Sequence, residues 1–564
     1  MSDFGFISGK GFHACRLRCV SWALLAVLSF SVAGETQASS APKGLTRRLR
    51  AWVDAFAAVD DEIYTNAVSN AEAFDFLRGN IPLFECPDEA VERTYYFRWW
   101  TYRKHLRKTR GGDGWVVTEF LPDVGWAGPE NTISCAFGHH VREGRWLRSS
   151  GYLDGYIDFM LRKGIISGRR AYVSWPAWAS LERAKVTGDV AFLRHRLADF
   201  IGNYEAWSNG WRATSLSLKE VENVQGAHGR DLAVGFRPEW GLFVSVGDRE
   251  GSEYALSADG ARPLVNSALW AETRAIAEIA RDAVRVSVAY RFAQMADALE
   301  RNVKARLWNG EKSFFVTLSD RGGLDDVCEL HGYAPFYFGM DLRGYEKAWR
   351  LLTRETGFAA PVGLTFPARE TPGFDVSVDL RRHECLWNGP SWPYATSIAL
   401  TALYESLQSG YELPVKASDF ARVVRQYAAQ QVLKRPDGRI VPWIDENLDP
   451  FSGEWVARQH QIDWNRRGLR KMLFRERGKD YNHSTFCDLV IAGICGLVPQ
   501  KDGSLVVRPL APDAWDWWRV EGVRYHGHDV TILYDRFGTR YGKGKGLQVL
   551  RDGKAARFTY GKIK

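Results

Sequence analysis

PLVNSALWAETRAIAEI, residues 263–279, and VAYRFAQMADALERNVKARL, residues 288–307, decide the fold class. In both, apolar side chains return every three or four residues, the spacing that gathers them on one face of an α-helix. The same period runs through Arg48 to Asn66, Val141 to Leu161 and Glu182 to Trp207. From about Leu45 to Val498, amphipathic helix follows amphipathic helix, joined by loops rich in Gly, Pro, Asp and Trp, and strand-like alternation is scarce. Connections of very different length predict helical hairpins packed side by side. A closed ring of such hairpins is an (α/α)6 barrel, but periodicity by itself argues only for an all-α body.

The pattern changes after Gly503. SLVVRPLAP (504–512), VEGVRYHGHDVTILYD (520–535) and GLQVLRDGKAARFTY (546–560) alternate over short runs, with Gly-containing turns between them, as in hairpins. The expected organisation is a signal peptide and linker over 1–38, a helical domain over 39–500 and a small antiparallel β domain over 501–564. No fixed repeat period marks a solenoid.

Arg16 and Arg18 precede the apolar run Ser21 to Ala33, which is followed by small and polar residues from Gly34 to Ser40. That is the layout of a secretory signal. The run is shorter than the roughly 20 apolar residues of a spanning helix. It predicts an exported protein, periplasmic or extracellular, touching membrane only through this segment if uncleaved. Cys15 and Cys19 lie in the segment, leaving Cys86, Cys135, Cys328, Cys385, Cys487 and Cys495. None forms a close CxxC pair, so a zinc framework is not indicated, and disulfides and scattered buried thiols fit the spacing equally.

The net charge of +8 is dispersed among nearly equal numbers of bases and acids, which gives no support to nucleic-acid binding. The 23 Trp are more informative, because indole rings pack against the C–H faces of sugars as well as between helices.

Three loops concentrate carboxylates, aromatics, Gly and Pro: GDREGSEYALSADGARPLVNS (247–267), LWNGPSWPYATS (386–397) and PWIDENLDPFSGEWVAR (442–458). The third precedes DYNHSTFCDLVIAGICGLVP (480–499). Each stands before a helix, so alternating inner and outer helices would project all of them from one end of a barrel. Glycosidic cleavage needs one carboxyl group to protonate the leaving oxygen and another to activate water or attack the anomeric carbon. The first and third loops offer such groups, although a loop carboxylate alone is as readily a helix cap.

These motifs, with YYFRWWTYRKHL (95–106) and EFLPDVGWAGPENTISCAFGHHVREGRWL (119–147), resemble the bacterial relatives of glycoside hydrolase family 63, the mannosylglycerate hydrolase-like six-hairpin glycosidases. The similarity covers most of residues 90–535. It implies an (α/α)6 barrel and an exo-acting, inverting glycoside hydrolase that needs no cofactor. The family's GMD or GME segment is matched by Gly251, Ser252 and Glu253, which makes Glu253 the general acid, with Glu250 and Asp248 as neighbouring competitors. IDENLDPFSGE matches the base segment and makes Glu446 the general base, with Asp445 and Glu454 as alternatives. Trp387, Asn388 and Trp392 match a WRGPxW-type wall of the sugar site, Asn388 standing where Arg is more familiar. Tyr481, Asn482, His483, Trp126 and Arg262 complete the expected substrate contacts, and Arg98 is a more distant candidate.

No catalytic metal is expected. His139 and His140 are adjacent and point apart on a helix, and His526 with His528 lacks a third ligand. The basic run from Asp463 to Asp480, with Arg466, Arg467, Arg470, Lys471, Arg475, Arg477 and Lys479, reads first as a solvated loop and more sharply as a gate attracting acidic glycans. Two other classes share helical toroids with glycosidases: polysaccharide lyases or sugar epimerases, and non-catalytic carbohydrate-binding proteins. Neither needs both Glu253 and Glu446.

Overall fold

The computed structural model describes residues 43–112, 114–164, 172–210, 234–379, 383–469 and 474–561. The expected signal segment lies outside these residues. Helices dominate the described chain, with a small antiparallel sheet near the C-terminus.

Pro263–Asp282 and Val286–Arg306 form a hairpin about a short turn in which Val284 takes a positive φ of 56°. Proline is well placed at the first helical position, because the N–H it lacks would have had no partner there. The first helix is buried on nearly every side. Its partner buries only the stripe Ala289, Phe292, Ala296, Leu299 and Val303 and presents charges to solvent. The pairing recurs in the buried Pro393–Gln408 and the striped Ala417–Ala429. It recurs again where Leu45, Leu49, Val53 and Phe56 of Lys43–Ala57 face the buried Glu89–His105.

Several helices are shorter than their periodicity predicts. The first ends at Ala57 and not near Asn66, because Asp60 beyond it pairs with Lys104 and Lys479. Val141 to Leu161 is divided between Phe137–Gly144, Gly151–Asp158 and a π turn, Phe159–Gly164. Glu182 to Trp207 is divided among Pro176–Thr187, Val190–His195 and Leu197–Gly210. Gly188 at φ +79° stops the first of these, and the Asp189 carboxylate caps the second by accepting the Phe192 N–H at 3.0 Å.

A sheet also stands inside the expected helical region, built from Val234–Arg237, Leu242–Ser245, Gly260–Ala261 and Leu318–Ser319. Its strands are too short for alternation to show in sequence. The loop that carries Glu250 and Glu253 leaves its second strand and returns to its third.

The C-terminal strands follow the predicted hairpins. Trp517–Tyr525 turns through His526 and Gly527, at φ +46° and +81°, into His528–Asp535, and Gly546–Arg551 turns through Asp552 and Gly553 into Lys554–Ala555. This sheet takes an edge strand from far upstream, Leu83–Glu85, paired antiparallel with Trp517–Tyr525. It meets the end of Pro176–Thr187 where the His526 N–H donates to the Val186 carbonyl at 2.9 Å.

A buried carboxylate ties the helices together. Asp488 accepts from Arg142 at 3.0 Å, Arg145 at 2.8 Å, Trp146 Nε1 at 2.8 Å and the Tyr404 hydroxyl at 3.0 Å. Glu143 accepts the backbone N–H groups of Phe486, Cys487 and Asp488, which fixes the chain directly after DYNHST.

Candidate active site

Backbone hydrogen bonds stitch the motif loops to one another. The Trp387 N–H donates to the Glu253 carbonyl at 3.1 Å, joining the first loop to the second. Ser391 and Leu448 exchange two bonds, 2.8 and 3.0 Å, joining the second to the third. The Tyr481 N–H reaches the Ile444 carbonyl at 3.3 Å, and the Asn482 N–H reaches the Glu119 carbonyl at 3.0 Å. Loops hundreds of residues apart thereby surround one cavity of about 560 Å³, a volume suited to a small ligand.

Glu119, Trp126, Glu253, Trp387, Trp392, Arg477, Tyr481 and His483 line this cavity. Trp387 and Trp392 stack with ring centroids 3.9 Å apart and planes 8° from parallel. Trp392 donates its ring N–H to the Leu386 carbonyl at 2.9 Å, whereas the Trp387 ring N–H has no partner among the described residues. Trp126 stands at the mouth, 52% exposed, edge-on to Phe120. Tyr481 packs edge-on against Phe120 and His483. Burial holds the His483 imidazole well below its ordinary pKa, so it is neutral.

Glu253 is half-buried in the wall. Gly251, at φ +75°, turns the chain just before it in a conformation that side chains rarely adopt. The competitor Glu250 is engaged elsewhere. Burial would raise its pKa, but Arg262 and His331 outweigh that and hold it at about 2. The Asp248 side chain lies outside the described residues.

Glu446 is fully buried one side chain behind the wall, where it accepts from Arg477 Nη2 at 2.6 Å and from the Cys385 thiol at 3.0 Å. Of the alternatives, Asp445 accepts the Glu446 N–H at 2.9 Å, and burial together with the Glu446 charge raises it to about 7. Glu454 is exposed.

Three expected substrate contacts do not reach the wall. Asn388 is buried, and its backbone carbonyl accepts from the Asp375 N–H. Arg262 is committed to Glu250, Glu329 and the Ala258 carbonyl. The Asn482 side chain donates to the Thr118 carbonyl at 3.2 Å, and its own carbonyl meets His140. Arg262 and Asn482 thus answer buried charge and backbone, a role that motif spacing does not reveal, whereas the buried Asn388 Oδ1 has no partner among the described residues. Arg98 likewise donates to the Ser484 carbonyl at 2.8 Å and anchors DYNHST from behind.

The basic run is not uniformly solvated. Arg477 is largely buried and bridges Glu384 and Glu446, Lys479 pairs with Asp60 and Asp61, and Arg475 pairs with Asp61. Arg466 and Arg467 are exposed, while Arg470 and Lys471 lie outside the described residues.

The sequence expectations omit Glu119, Glu384 and Cys385. Glu119 is 3% exposed and accepts from the Tyr481 hydroxyl at 3.0 Å. Burial raises its pKa most, Tyr481 draws it back in part, and the charges of Glu446 and Glu253 push it up again, to about 8. The only trace of it in sequence is its place at the head of an aromatic and glycine-rich block.

Stacked indoles and buried carboxyl groups thus wall one cavity in a helix-rich body. The family described as mannosylglycerate hydrolase MGH1-like glycoside hydrolase domain matches residues 129–484, and the glycosyl hydrolase family 65 C-terminal domain matches residues 499–558. The chain belongs to the MGH1-like glycoside hydrolases. A solved structure named sialidase is 33% identical, with a TM-score of 0.78 over 91% of this chain and 43% of its own, so this chain spans less than half of that relative. A GH78 family rhamnosidase of Bacillus sp. GL1 matches at 13% identity and TM-score 0.48, over 85% of this chain and 44% of its own. A GH63 mannosylglycerate hydrolase from Thermus thermophilus matches at 11% and 0.33, over 79% and 99%.

Proposed function

We propose that the chain is an exported, exo-acting glycosidase that inverts anomeric configuration, with Glu253 as general acid and Glu446 as general base. The observation that carries this reading is convergence. Glu253 and Glu446 come from loops far apart in sequence, yet Glu253 lines the cavity together with Cys385, whose thiol donates to Glu446 at 3.0 Å. Glu446, held by the Arg477 guanidinium, is the group proposed to accept a proton from water. Glu253, on the wall itself, is suited to meeting the leaving oxygen. Inversion needs room for that water, with carboxyl groups about 6.5 to 9.5 Å apart.

The stacked Trp387 and Trp392 form a flat apolar wall for one sugar face. Exo action rests on the resemblance to the mannosylglycerate hydrolase-like glycosidases. The recurring pairs of buried and striped helices favour closure into an (α/α)6 barrel, with 39–500 as the catalytic domain and 501–564 as its β appendage. The layout of residues 1–38 favours export.

A panel of glycosides tests the reading. It includes sialosides, after the name of the relative at 33% identity, and mannosides, after the family. Release of one monosaccharide whose first-formed anomer is opposite to that of the substrate supports it. A first-formed anomer that retains the substrate configuration refutes inversion, and an unsaturated product refutes hydrolysis. N-terminal sequencing of the exported protein tests the signal segment.

A further inference from the structure

We propose that Glu119 is a third working group of this cavity: a carboxyl group kept in its neutral form that donates a hydrogen bond to an acceptor oxygen of the bound sugar. The inference rests on the glycosidase reading and adds a substrate contact to it. Glu119 lies upstream of residues 129–484, the part of the chain that the glycoside hydrolase family matches.

The argument begins with partners. Three other buried carboxylates at the cavity have cations: Glu446 and Glu384 share Arg477, and Glu250 holds Arg262. Glu119 has none among the described residues. Its Oε1 accepts from the Tyr481 hydroxyl at 3.0 Å and lies 3.8 Å from the Cys135 sulfur. An ionised carboxylate so deeply buried without a cation is costly, and protonation relieves the cost.

The titratable groups facing it reinforce this. They are Tyr481 from DYNHST, Cys135 from its own block, Tyr156 and Tyr394 from the helices around the cavity, Glu253 from the first loop and Glu446 from the third. None brings positive charge. The Arg477 guanidinium packs 5.5 Å from both the Phe120 and Trp126 rings and is already bound to two other carboxylates.

Geometry then directs the proton. A neutral carboxyl has one O–H donor, and Oε1 is occupied as the Tyr481 acceptor, so the proton belongs on Oε2. Oε2 has no hydrogen-bond partner among the described residues, and the side chain forms part of the cavity wall. The backbone is clamped on both sides of the side chain, since the Asn482 N–H holds the Glu119 carbonyl and the Asn482 amide holds that of Thr118. A rigid donor in the wall selects for an oxygen acceptor at one position of the sugar.

Glu119→Gln and Glu119→Ala separate this role from the alternatives. The amide keeps a donor and cannot ionise. It is expected to lower kcat/KM by about 3- to 10-fold near pH 6 and to move the alkaline decline of activity, centred near pH 8 in the wild type, upward by at least about one unit. The alanine variant is expected to lose about 10²-fold, mostly as a rise in KM. An infrared C=O band of a protonated carboxyl, which titrates away near pH 8 in the wild type, is expected to be missing from Glu119→Gln. Glu119→Gln as inactive as Glu119→Ala, an unchanged alkaline limb, or the same infrared band in the variant would each overturn the proposal. The infrared titration needs no turnover, so a failure of the glycosidase reading is seen separately, as full activity in Glu253→Gln and Glu446→Gln or as no cleavage of any glycoside.

Discussion

Arg477 donates from Nη2 to Glu446 at 2.6 Å and from Nη1 to Glu384, so a single guanidinium bridges two buried carboxylates brought in by different loops. Arg477→Gln removes this shared cation from both. Removal of one partner from a buried ion pair costs about 3 to 5 kcal/mol, so a clear fall in Tm is expected, together with at least about a tenfold loss of turnover measured well below that Tm. Arg477→Lys is expected to recover only part of either quantity, because an ammonium cannot reproduce the two-armed contact. Unchanged Tm and turnover in Arg477→Gln would show that the bridge contributes nothing.

Glu253→Gln and Glu446→Gln each remove a proton-transfer group with little change of volume. Turnover is expected to fall by about 10²-fold or more in each, with the circular dichroism spectrum unchanged. A substrate with a good leaving group needs less protonation, so it is expected to restore part of the activity of Glu253→Gln and none of that of Glu446→Gln. Equal rescue of both would reverse or merge the two roles.

Glu272 gives a stability slope with a definite sign. Its buried carboxyl accepts the Trp178 N–H at 2.9 Å, and burial raises its pKa from 4.5 to about 8. Between those values the folded chain holds a proton that the unfolded chain has released, so stability falls as pH rises through the window, by at most about 1.4 kcal/mol per unit. Glu272→Gln cannot ionise. Its Tm is expected to gain on that of the wild type steadily from about pH 5 to about pH 8. Parallel Tm curves over that range would contradict the assignment.

Asp488 binds two arginines, an indole N–H and a tyrosine hydroxyl at once. Asp488→Ala is expected to destabilise the fold by about 3 to 5 kcal/mol, measured by urea denaturation, because Arg142 and Arg145 lose a buried counter-charge. A loss below about 1 kcal/mol would mean that Glu405 and Glu182, their other partners, suffice.

Local pattern determined much of this molecule before any contact was known. The three- and four-residue period of Pro263 to Ile279 and of Val288 to Leu307 encodes two helices, because side chains on one face need only their own chain to be aligned. The turns at His526-Gly527 and Asp552-Gly553 encode hairpins for the same local reason. The motif loops were legible as loops, and Trp387, Trp392, Tyr481, His483 and Glu253 do meet in one cavity. Tertiary structure decided what depends on partners distant in sequence. Leu83–Glu85 becomes the edge of a C-terminal sheet, Arg477 leaves a basic run to hold two carboxylates, and Arg262 and Asn482 turn from the cavity to buried charge and backbone. Glu119 is the sharpest case. Whether a carboxyl is ionised depends on burial and on the charges of Glu446 and Glu253, which come together only when the loops close around it.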